Sequence, residues 1–416
     1  MAGKGSDMSK GTVGGGGTTM LRRINVAAVL DAVRRSAPAP LRVAELVERT
    51  GLARPTVAQA VDELLDAGWL QQHGPDSADR SLGRPAIRVS LRGRAAPVLG
   101  LDVGPHRVTV GVSDLAGRKL SLVRRSGPGW TAQELLVVIS EVITEALAEA
   151  EVPAEDIAAA VAASPGIVDE HTGRVQLVPS VPGWSAIDLT KHVRSLLDCP
   201  VMLDNDANLA ALAIAAARGG TGTLLAVQWG ERLGAGIVID GRLHRGTGAA
   251  GEIGFIATGP DDVINPEDSR GPLERAVGSE AIAALGRQAV LDNPESRLAE
   301  LGRDQLDTAD VFAAAAERDP VAQAVVQQVA RDFARALAPA VLVLDPTAVV
   351  IGGGVARAGA VLLDAIADQL RLLTLNHPKL ELSALAEDAV VTGAMRMALD
   401  EVWQRKLPTP ALTTPA

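Results

Sequence analysis

The pattern of this 416-residue sequence changes near Pro97, and this change limits the possible folds more than any other feature. After Pro97, short apolar segments of strand length alternate with longer segments of helical periodicity. Such alternation is typical of α/β lobes, in which helices cover the faces of a sheet. We predict strands at 98–103, 107–112, 119–123, 157–163, 223–228, 234–239 and 348–351, and helices at 132–150, 272–288, 308–317, 320–343 and 355–372.

Charge divides at the same place. Residues 1–95 contain 14 Lys+Arg and 9 Asp+Glu, a net charge of +5, whereas the remaining 26 and 41 give residues 96–416 a net charge of −15. A polyanionic partner is therefore expected to bind the N-terminal part. With 3 Phe, 5 Trp and no Tyr, the chain lacks the rows of rings on which single-strand binding proteins stack bases.

Other features exclude whole classes of protein. The single cysteine, Cys199, excludes a disulfide framework and a zinc site built from several cysteines. Because no apolar run reaches the length of a membrane span and no signal pattern is present, we expect a cytoplasmic protein without a membrane partner. The segments 1–19 and 406–416 are rich in small and turn-forming residues, and we expect both to be disordered tails.

The N-terminal part carries the pattern of a helix-turn-helix. Apolar residues recur at helical spacing over 20–36, 43–49 and 55–67, and Gly51 lies in the connection between the last two segments. In this arrangement the final helix enters the major groove of double-stranded DNA. Val57, Val61, Leu64 and Leu65 are predicted to face inward, and Arg54, Thr56, Gln59 and Ala60 to be exposed towards base edges.

A winged extension is expected after the third helix. Strand-like residues from Gly68 to Leu70 lead into a polar loop at 74–82, and a return strand follows at 86–91. The loop contains Arg80, and Arg84 lies in a Gly-Arg-Pro segment of the kind that inserts an arginine into the minor groove. Read by itself, Gly-Arg-Pro is an ordinary turn in most proteins. In this context we predict a winged helix-turn-helix over residues 20–95, with Arg54, Thr56, Gln59, Arg80 and Arg84 contacting DNA.

Four motifs occur in order along the acidic part of the chain, residues 96–416. They are Asp102-Val103-Gly104, Ser164-Pro165-Gly166-Ile167-Val168-Asp169, Asp204-Asn205-Asp206-Ala207-Asn208 and Gly251-Glu252-Ile253-Gly254. In this order and spacing the chain resembles the ROK family (repressors, open reading frames, kinases). The resemblance implies a two-lobed, actin-like (sugar kinase/ribonuclease H-like) domain, with lobe 1 at 96–220, completed by a C-terminal helix at 386–405, and lobe 2 at 221–385. The N-terminal helix-turn-helix points to the repressor branch, of the xylose and N-acetylglucosamine regulator type.

The residues of these motifs allow two interpretations. Read alone, Asn205 and Asp206 either cap a helix or form a polar pair in a cleft, with Asp206 able to accept a hydroxyl proton. The resemblance implies that Asn205 binds a sugar and that Asp206 stands at the catalytic-base position of the kinases. It likewise implies sugar contacts by Gly166, Glu252 and Glu274. Carboxylates and amides suit this role because they form directed hydrogen bonds with hydroxyl groups.

The phosphate-binding segments depart from the family pattern. Where ROK kinases read Asp-x-Gly-Gly-Thr, this chain has Pro105 and His106 after Gly104, which removes a backbone donor and a hydroxyl group. Where they read Gly-Thr-Gly, it has Gly230-Glu231-Arg232, and Glu231 opposes phosphate charge. Although Asp102 and the triplet Gly352 to Gly354 remain, we predict that the chain is not an enzyme.

The zinc-binding pattern of the family is also missing. Its His and three Cys positions correspond to Phe255, Asn265, Glu267 and Pro272, none of which offers a thiolate or an imidazole. The family His also contacts the sugar, so Phe255 removes one ligand contact. We therefore expect no metal and no cofactor.

Together these observations predict a DNA-binding transcriptional repressor of carbohydrate metabolism genes. It would bind a palindromic operator as a homodimer or homotetramer and would respond to a sugar effector held in the kinase-like cleft. Two alternatives remain open at this stage: an ATP-dependent sugar kinase with a DNA-binding arm, and a regulator that has lost its sugar ligand and acts through a protein partner.

Overall fold

The structure, a computed structural model, describes residues 15–74, 87–164, 166–168, 175–176, 181–230, 232–260, 262–263, 270–300, 302 and 305–406. Within these residues the chain forms two compact units. One, the N-terminal unit, contains the residues up to Pro97, residues 113–118 and the residues from Leu399 onward. The other, the body, contains residues 98–112 and 119–398.

Three helices form the centre of the N-terminal unit: α1 (Gly15–Ser36), α2 (Val43–Thr50) and α3 (Arg54–Asp66). Helix α2 ends where the Gly51 N–H donates to the Val47 carbonyl, and Pro55 lies in the first turn of α3, where its missing N–H costs nothing. Buried apolar residues join the helices: Val29, Leu30, Val33, Leu46, Val57, Val61 and Leu64. The predicted helix-turn-helix is confirmed. Residues 15–19, which we expected to be disordered, extend α1, because adding a residue to an existing helix is easier than nucleating one.

A small antiparallel sheet completes this unit. Its strands β1 (Leu41–Arg42), β2 (Leu70–His73) and β3 (Arg88–Leu91) lie in the order β1-β3-β2. Leu70 pairs with Leu91 and His73 with Arg88, so β2 and β3 are the two strands of the predicted wing. The loop at its tip, with Arg80 and Arg84, lies outside the described residues.

The first sheet of the body has the order β10-β7-β4-β5-β6. Its strands are β4 (Val98–Val103), β5 (Arg107–Ser113), β6 (Lys119–Ser126), β7 (Ala159–Ser164) and β10 (Val201–Asn205), with helices α4 (Ala132–Ala150) and α5 (Leu189–Leu196). Helix α6 (Asp206–Ala217) follows β10 and packs mainly against the second sheet of the body. The short strands β8 (Ile167–Val168) and β9 (Val175–Gln176) pair with each other. Both β4 and β7 are buried along their whole length, as is usual for parallel strands covered on both faces.

The second sheet of the body has the order β13-β12-β11-β14-β15. Its strands are β11 (Thr223–Trp229), β12 (Leu233–Ile239), β13 (Arg242–His244), β14 (Ala348–Gly352) and β15 (Lys379–Leu382). The helices are α7 (Pro272–Val277), α8 (Ser279–Asp292), α9 (Arg297–Glu300), α10 (Thr308–Ala316), α11 (Pro320–Leu344) and α12 (Ala360–Leu373). No helix in the described part of the chain combines the length and the hydrophobicity needed to span a membrane.

Two predicted helices differ from the structure. The segment 272–288 is divided into α7 and α8 by Gly278, whose extended backbone (ψ 163°) interrupts the helical turn. The segment 355–372 becomes helical only from Ala360, because Gly359 has a φ of 66° and separates α12 from a short 3₁₀ turn at Gly354–Ala358. In both places a glycine adopts a conformation that helical periodicity does not reveal.

The last helix, α13 (Ala389–Lys406), contributes to both units. We expected it to complete lobe 1, but its residues from Leu399 onward belong by their contacts to the N-terminal unit. There the buried Trp403 ring lies 6.2 Å from the Trp69 ring, and the Arg34 guanidinium lies 5.3 Å from the centre of the Trp403 ring. A cation over an indole face is attracted to its π-electrons, so this cluster stabilises the unit both by packing and by a cation–π interaction.

Trp184 anchors the core of the first sheet. The ring is 1% exposed and packs with the apolar residues of this sheet and its helices. Its indole Nε1 donates a hydrogen bond to Ser164 Oγ at 3.0 Å, which satisfies the one polar atom of the ring.

We expect Trp184→Ala to lower the free energy of unfolding by about 3–5 kcal/mol, because it leaves a cavity in a packed core. Urea denaturation followed by circular dichroism measures this change. Trp184→Phe is the matched control, since it keeps an aromatic ring but not the hydrogen bond to Ser164, and it should lose clearly less. Equal losses for the two variants would contradict the assignment of the stabilisation to ring packing.

Candidate functional site

Three parallel strands of the first sheet end at one edge, and the candidate residues lie at these ends. β4 pairs with β7, and β7 pairs with β10, so that Asp102 is level with Ala163 and Asn205 with Ser164. Gly166 follows directly after β7. In open α/β sheets the carboxyl ends of parallel strands form the crevice in which ligands bind.

Asn205 and Asp206 stand where β10 passes into α6. The Asn205 side chain accepts hydrogen bonds from the N–H groups of Ala207 (2.8 Å) and Asn208 (3.3 Å), and its Nδ2 donates to the Gly166 carbonyl at 3.0 Å. Asn205 therefore caps α6 and at the same time connects it with the loop after β7. Asp206 Oδ1 accepts the Ala207 N–H at 2.7 Å. The two side chains thus cap α6, and this position at the start of the helix also places them at the crevice.

Asp102 and Asp206 form the centre of a buried acidic group. The pKa of Asp102 is raised to about 7, chiefly by burial and then by the nearby Asp206 carboxylate, while Arg107 and Arg124 act in the opposite direction. Burial also raises the pKa of Asp206, against the N–H groups that hydrogen-bond to it. A carboxyl group with a raised pKa near neutral pH can accept or donate a hydrogen bond, which is typical of a functional site.

Glu252 and Glu274 approach this group from the second sheet. The pKa of Glu252 is raised to about 7, first by burial and then by the charges of Asp206 and Glu274, while Arg232 acts in the opposite direction. Glu274 is buried at the start of α7, where its carboxylate accepts the N–H groups of Leu233 (2.8 Å) and Gly271 (3.1 Å). The carboxylate of Glu274 therefore holds the start of β12 and the start of α7 together beside the crevice.

One charged pair at the site was missed by our sequence analysis. Asp204 is buried near the end of β10. Its carboxylate accepts hydrogen bonds from Arg245 Nη2 (2.5 Å), from Asn208 Nδ2 (3.1 Å) and from the backbone N–H of Asn205 (2.8 Å). Arg245 follows β13, so this pair links the two sheets of the body next to Asn205. The motif contained Asp204, but no local signal identified Arg245 as its partner.

The proposed DNA-reading face lies on α3. Arg54 and Gln59 are exposed and Thr56 is half-buried, so these side chains are accessible on the first turns of the helix. The expected exposure of Ala60 was wrong, because Ala60 is buried in the helical core of the unit. It lies three residues after Val57, at a spacing that returns it to the inner face.

Comparisons with known proteins agree with both units. A model of the ROK family matches residues 98–401, and a model of the MarR family matches residues 22–80. The chain belongs to the ROK family. The xylose repressor of Caldicellulosiruptor bescii is 25% identical over 397 residues, which cover 93% of this chain and 98% of that protein. A glucokinase of Halalkalibacterium halodurans is 32% identical over 249 residues, covering 57% of this chain and 75% of that enzyme.

A solved structure supports the same conclusion for the fold. The crystal structure of a ROK family transcriptional regulator, a homologue of the Escherichia coli MLC protein, matches with 25% identity and a TM-score of 0.75, covering 93% of this chain and 99% of that one. The predicted α/β fold with an N-terminal winged helix-turn-helix is therefore confirmed. Both regulators and glucokinases occur among the ROK relatives, so family membership alone does not decide whether the cleft is catalytic.

The segments that bind phosphate in ROK kinases have other partners in this chain. The Pro105 and His106 carbonyls accept the N–H groups of Trp130 (3.2 Å) and Gly127 (3.0 Å). Arg232 reaches the Glu274 carboxylate at 3.5 Å, and Glu231 lies outside the described residues. Gly353 is required by packing, because a Cβ atom there would lie 2.5 Å from the Trp229 carbonyl oxygen and its φ is 84°. Gly353 is thus explained without a nucleotide, whereas a Cβ atom at Gly354 would meet nothing within 4 Å.

The four zinc-ligand positions of the family are only partly described. Phe255 is half-buried and Pro272 is buried at the start of α7, and neither side chain carries a donor atom for a metal. Asn265 and Glu267 lie outside the described residues. Among the described residues, no group of three His, Cys, Asp or Glu side chains is arranged to hold a metal ion. The residues present do not fit the zinc site of the family.

The raised pKa of Asp102 gives a pH dependence of stability with a definite sign. Between about pH 4 and pH 7 the folded state binds more protons than the unfolded chain, so the free energy of unfolding falls as the pH rises through this range. Asp102→Asn removes this linkage. We expect the variant to gain stability relative to the wild type from about pH 5 to about pH 8, measured by urea denaturation.

Asp188→Asn provides the control. The Lys191 N–H lowers the pKa of Asp188, so this carboxyl stays ionised over the same interval and its removal should leave the slope unchanged. If the free energy of unfolding of Asp102→Asn falls with pH as steeply as that of the wild type, Asp102 is ionised in the folded protein throughout this pH range.

Proposed function

We propose that this ROK protein is a transcriptional repressor whose affinity for operator DNA falls when a sugar binds in the cleft of the body. One combination of features supports the proposal. The chain joins a winged helix-turn-helix to a cleft that keeps Asn205, Asp206 and Glu252, whereas Pro105 and Arg232 occupy positions where ROK kinases bind phosphate. Operator binding measured with and without a panel of sugars tests both halves of the proposal.

The cleft suits a ligand rich in hydroxyl groups. Asp206 is close enough to Glu252 to raise its pKa, and Asn205 connects the helix α6 with Gly166. Hydroxyl groups donate to carboxylates and accept from amides, so a sugar can satisfy several of these groups at once. Glu274 takes part mainly by fixing Leu233 and Gly271, since its carboxylate accepts both N–H groups.

Regulation requires the sugar to prefer one conformation of the body. Residues from both sheets line the cleft, and a sugar that bridges them stabilises one degree of closure. The chain passes between the body and the N-terminal unit after Pro97, Val112, Arg118 and Ala398, so a change in the body can reach the DNA-binding unit through four covalent connections. The shift in operator affinity is limited by the difference in sugar affinity between the two states.

We further propose that the cleft transfers no phosphoryl group and holds no zinc. Phosphoryl transfer depends on donors and cations aimed at the phosphates. Pro105 has no N–H to donate, and Arg232 pairs with Glu274. Phe255 and Pro272 remove two of the four zinc ligands of the family. A coupled ADP-release assay with glucose, xylose and N-acetylglucosamine tests the first point, and sustained ADP release with any of them would favour the kinase alternative.

The operator-binding form is proposed to be a homo-oligomer, because helix-turn-helix repressors bind paired half-sites through two copies of the motif. The second alternative, a regulator that has lost its sugar, is favoured by the absence of the family His at Phe255. It would show no increase in melting temperature with any sugar, since only a ligand that binds the folded state stabilises it.

For the sugar site, we expect Asp206→Asn to weaken binding of the sugar that stabilises the wild type by about tenfold or more, because a hydrogen bond to a charged group contributes about 1.5–3 kcal/mol. Isothermal titration calorimetry measures the change. Glu149→Gln, on the exposed face of α4, is the matched control and should leave affinity unchanged. An unaltered affinity in Asp206→Asn would remove this residue from the site.

For the DNA interface, we expect Arg84→Ala to weaken operator binding and to reduce the slope of log affinity against log salt concentration by about one. Gln59→Ala should instead relax base preference at one operator position without changing the slope. Fluorescence anisotropy with an operator selected from genomic DNA measures both. Arg297→Ala, an exposed position in the body, is the control. If Arg84→Ala binds as the wild type does at every salt concentration, the wing makes no contact.

A further inference from the structure

The C-terminal helix α13 is one continuous helix that belongs to both units of the chain. It runs without a break over Ala389–Lys406, and the limit between the body and the N-terminal unit falls inside it, after Ala398. Both parts carry buried side chains, such as Val391 in the body and Trp403 in the N-terminal unit. At the usual rise per residue the helix is about 27 Å long, and its two ends move together while its backbone hydrogen bonds hold.

In the body, α13 lies directly on the backbone of the first sheet. A Cβ atom at Gly100 of β4 would lie 2.7 Å from both the Met395 N atom and the Val391 carbonyl oxygen. A Cβ atom at Gly111 of β5 would lie 2.9 Å from Met395 Sδ. Because these distances leave no room for a side chain, nothing separates the helix from the two strands at these positions. The position of α13 is therefore coupled to that of the first sheet.

Helix α6 connects α13 with the second sheet. It packs mainly against β11 and β12, and it begins at Asn205 and Asp206, beside the proposed sugar cleft. At Gly393 the helices α6 and α13 touch backbone to backbone, because a Cβ atom there would overlap the Leu209 carbonyl group. A movement of the second sheet against the first therefore changes this contact, and packed helices adapt to such movements by shifts of about 1–2 Å.

In the N-terminal unit, the end of α13 meets the helix-turn-helix through Trp403. The centre of the Trp403 ring lies 6.2 Å from that of Trp69 and 5.3 Å from the Arg34 guanidinium. Arg34 stands in the last turn of α1. Trp69 follows α3, where its N–H donates to the Leu64 carbonyl at 2.9 Å. Trp403 is thus placed against α1 and against the residue that joins α3 to the wing.

Three other connections join the two units, after Pro97, Val112 and Arg118. They leave from β4, β5 and β6, which are neighbours in the first sheet and are held together by backbone hydrogen bonds. In contrast, α13 lies on the first sheet and is connected through α6 with the second. Closure of the cleft is a change between the two sheets, so α13 is the connection placed to respond to it.

We propose that α13 transmits sugar binding from the cleft to the DNA-binding unit. A sugar that bridges the two sheets shifts α6 against the first sheet, Gly393 passes the shift to α13, and Trp403 passes it to α1 and α3. Gly393 and Trp403 are then positioning residues, which act without touching the sugar or the DNA. The inference rests on the proposed function and adds the element that couples its two sites.

Thermodynamic linkage provides a test that a loss of stability does not imitate. If a sugar lowers operator affinity by some factor, the operator lowers sugar affinity by the same factor, which we call the coupling factor. Isothermal titration calorimetry of the full chain with glucose, xylose and N-acetylglucosamine, with and without an operator selected from genomic DNA, measures it.

We expect Trp403→Leu to reduce the coupling factor to less than about twofold, because leucine keeps apolar contact but removes the ring that meets Trp69 and Arg34. Sugar affinity without DNA, and operator affinity without sugar, should both stay within about threefold of the wild type. Trp403→Phe is the matched control, since it keeps an aromatic ring at this position and should keep most of the coupling.

A second pair of variants leaves the aromatic cluster intact. Arg396 and Gln404 are both exposed on α13, but only Arg396 lies between Gly393 and Trp403. Glycine makes a helix backbone more flexible, so Arg396→Gly should reduce the coupling factor. Gln404→Gly makes the same kind of change beyond Trp403 and should leave the factor unaltered. Circular dichroism and melting temperature check that each variant is folded, and the glycine pair decides the test if Trp403→Leu is not.

Two negative results have different meanings. If Trp403→Leu and Arg396→Gly couple sugar and operator as strongly as the wild type does, the proposal is overturned, because the sugar then acts through another connection and the proposed function stands. If the wild type itself binds every sugar equally well with and without operator, the proposed function fails, and transmission through α13 fails with it.

Discussion

The parallel pairing of β7 with β4 on one side and β10 on the other decides which side chains of the body can meet. All three strands run in one direction, so Asp102, Gly166 and Asn205 reach the same edge of the sheet although about a hundred residues separate the first from the last. The helix α6 begins at that edge, and its capping residue is Asn205 itself. The fold thus produces a polar crevice as a direct consequence of strand order.

This convergence has an electrostatic cost. Burial raises the pKa of Asp102, Asp206 and Glu252, and the charge of Asp206 adds to the increase for Asp102 and Glu252. Arginines offset part of the cost: Arg107 and Arg124 act on Asp102, and Arg232 acts on Glu252. A buried charge group that is only partly compensated is a poor stabiliser of a fold, and this agrees with the ligand-binding role proposed for it.

Sequence periodicity was enough to predict most of the fold. The limits of β4 and α4 agree with the prediction to the residue, because β4 is a short apolar run and α4 begins at the Thr131–Glu134 capping box. Gly278 and Gly359 were missed, since a glycine inside a helical pattern carries no sign of its backbone conformation. Ala60 was misplaced for a related reason: alanine fits both a buried and an exposed helix position, and its spacing from Val57 decides between them.

The site was predictable only as far as short motifs reach. Asn205, Asp206 and Glu252 stand in such motifs, and the structure brings them to one crevice. The contacts of Arg232 with Glu274 and of Arg245 with Asp204 were not predictable, because each joins residues about 40 positions apart. The second also depends on how the two sheets face each other. Tertiary charge pairs of this kind leave no periodic signal in a single sequence.

The persistence of kinase-like features beside altered phosphate loops has a structural explanation. Gly353 lies against the Trp229 carbonyl in the parallel pairing of β14 with β11, so losing the glycine would disturb the second sheet even if no nucleotide binds. Pro105 and His106, in contrast, lie in a hairpin where only their carbonyl groups are used, and such positions accept changes that remove donors. Packing therefore accounts for Gly353 whether or not a nucleotide binds. Under the proposed function, a body of this kind would keep the shape of a sugar kinase, and with it a cleft that reports on a sugar, without needing the donors that phosphoryl transfer requires.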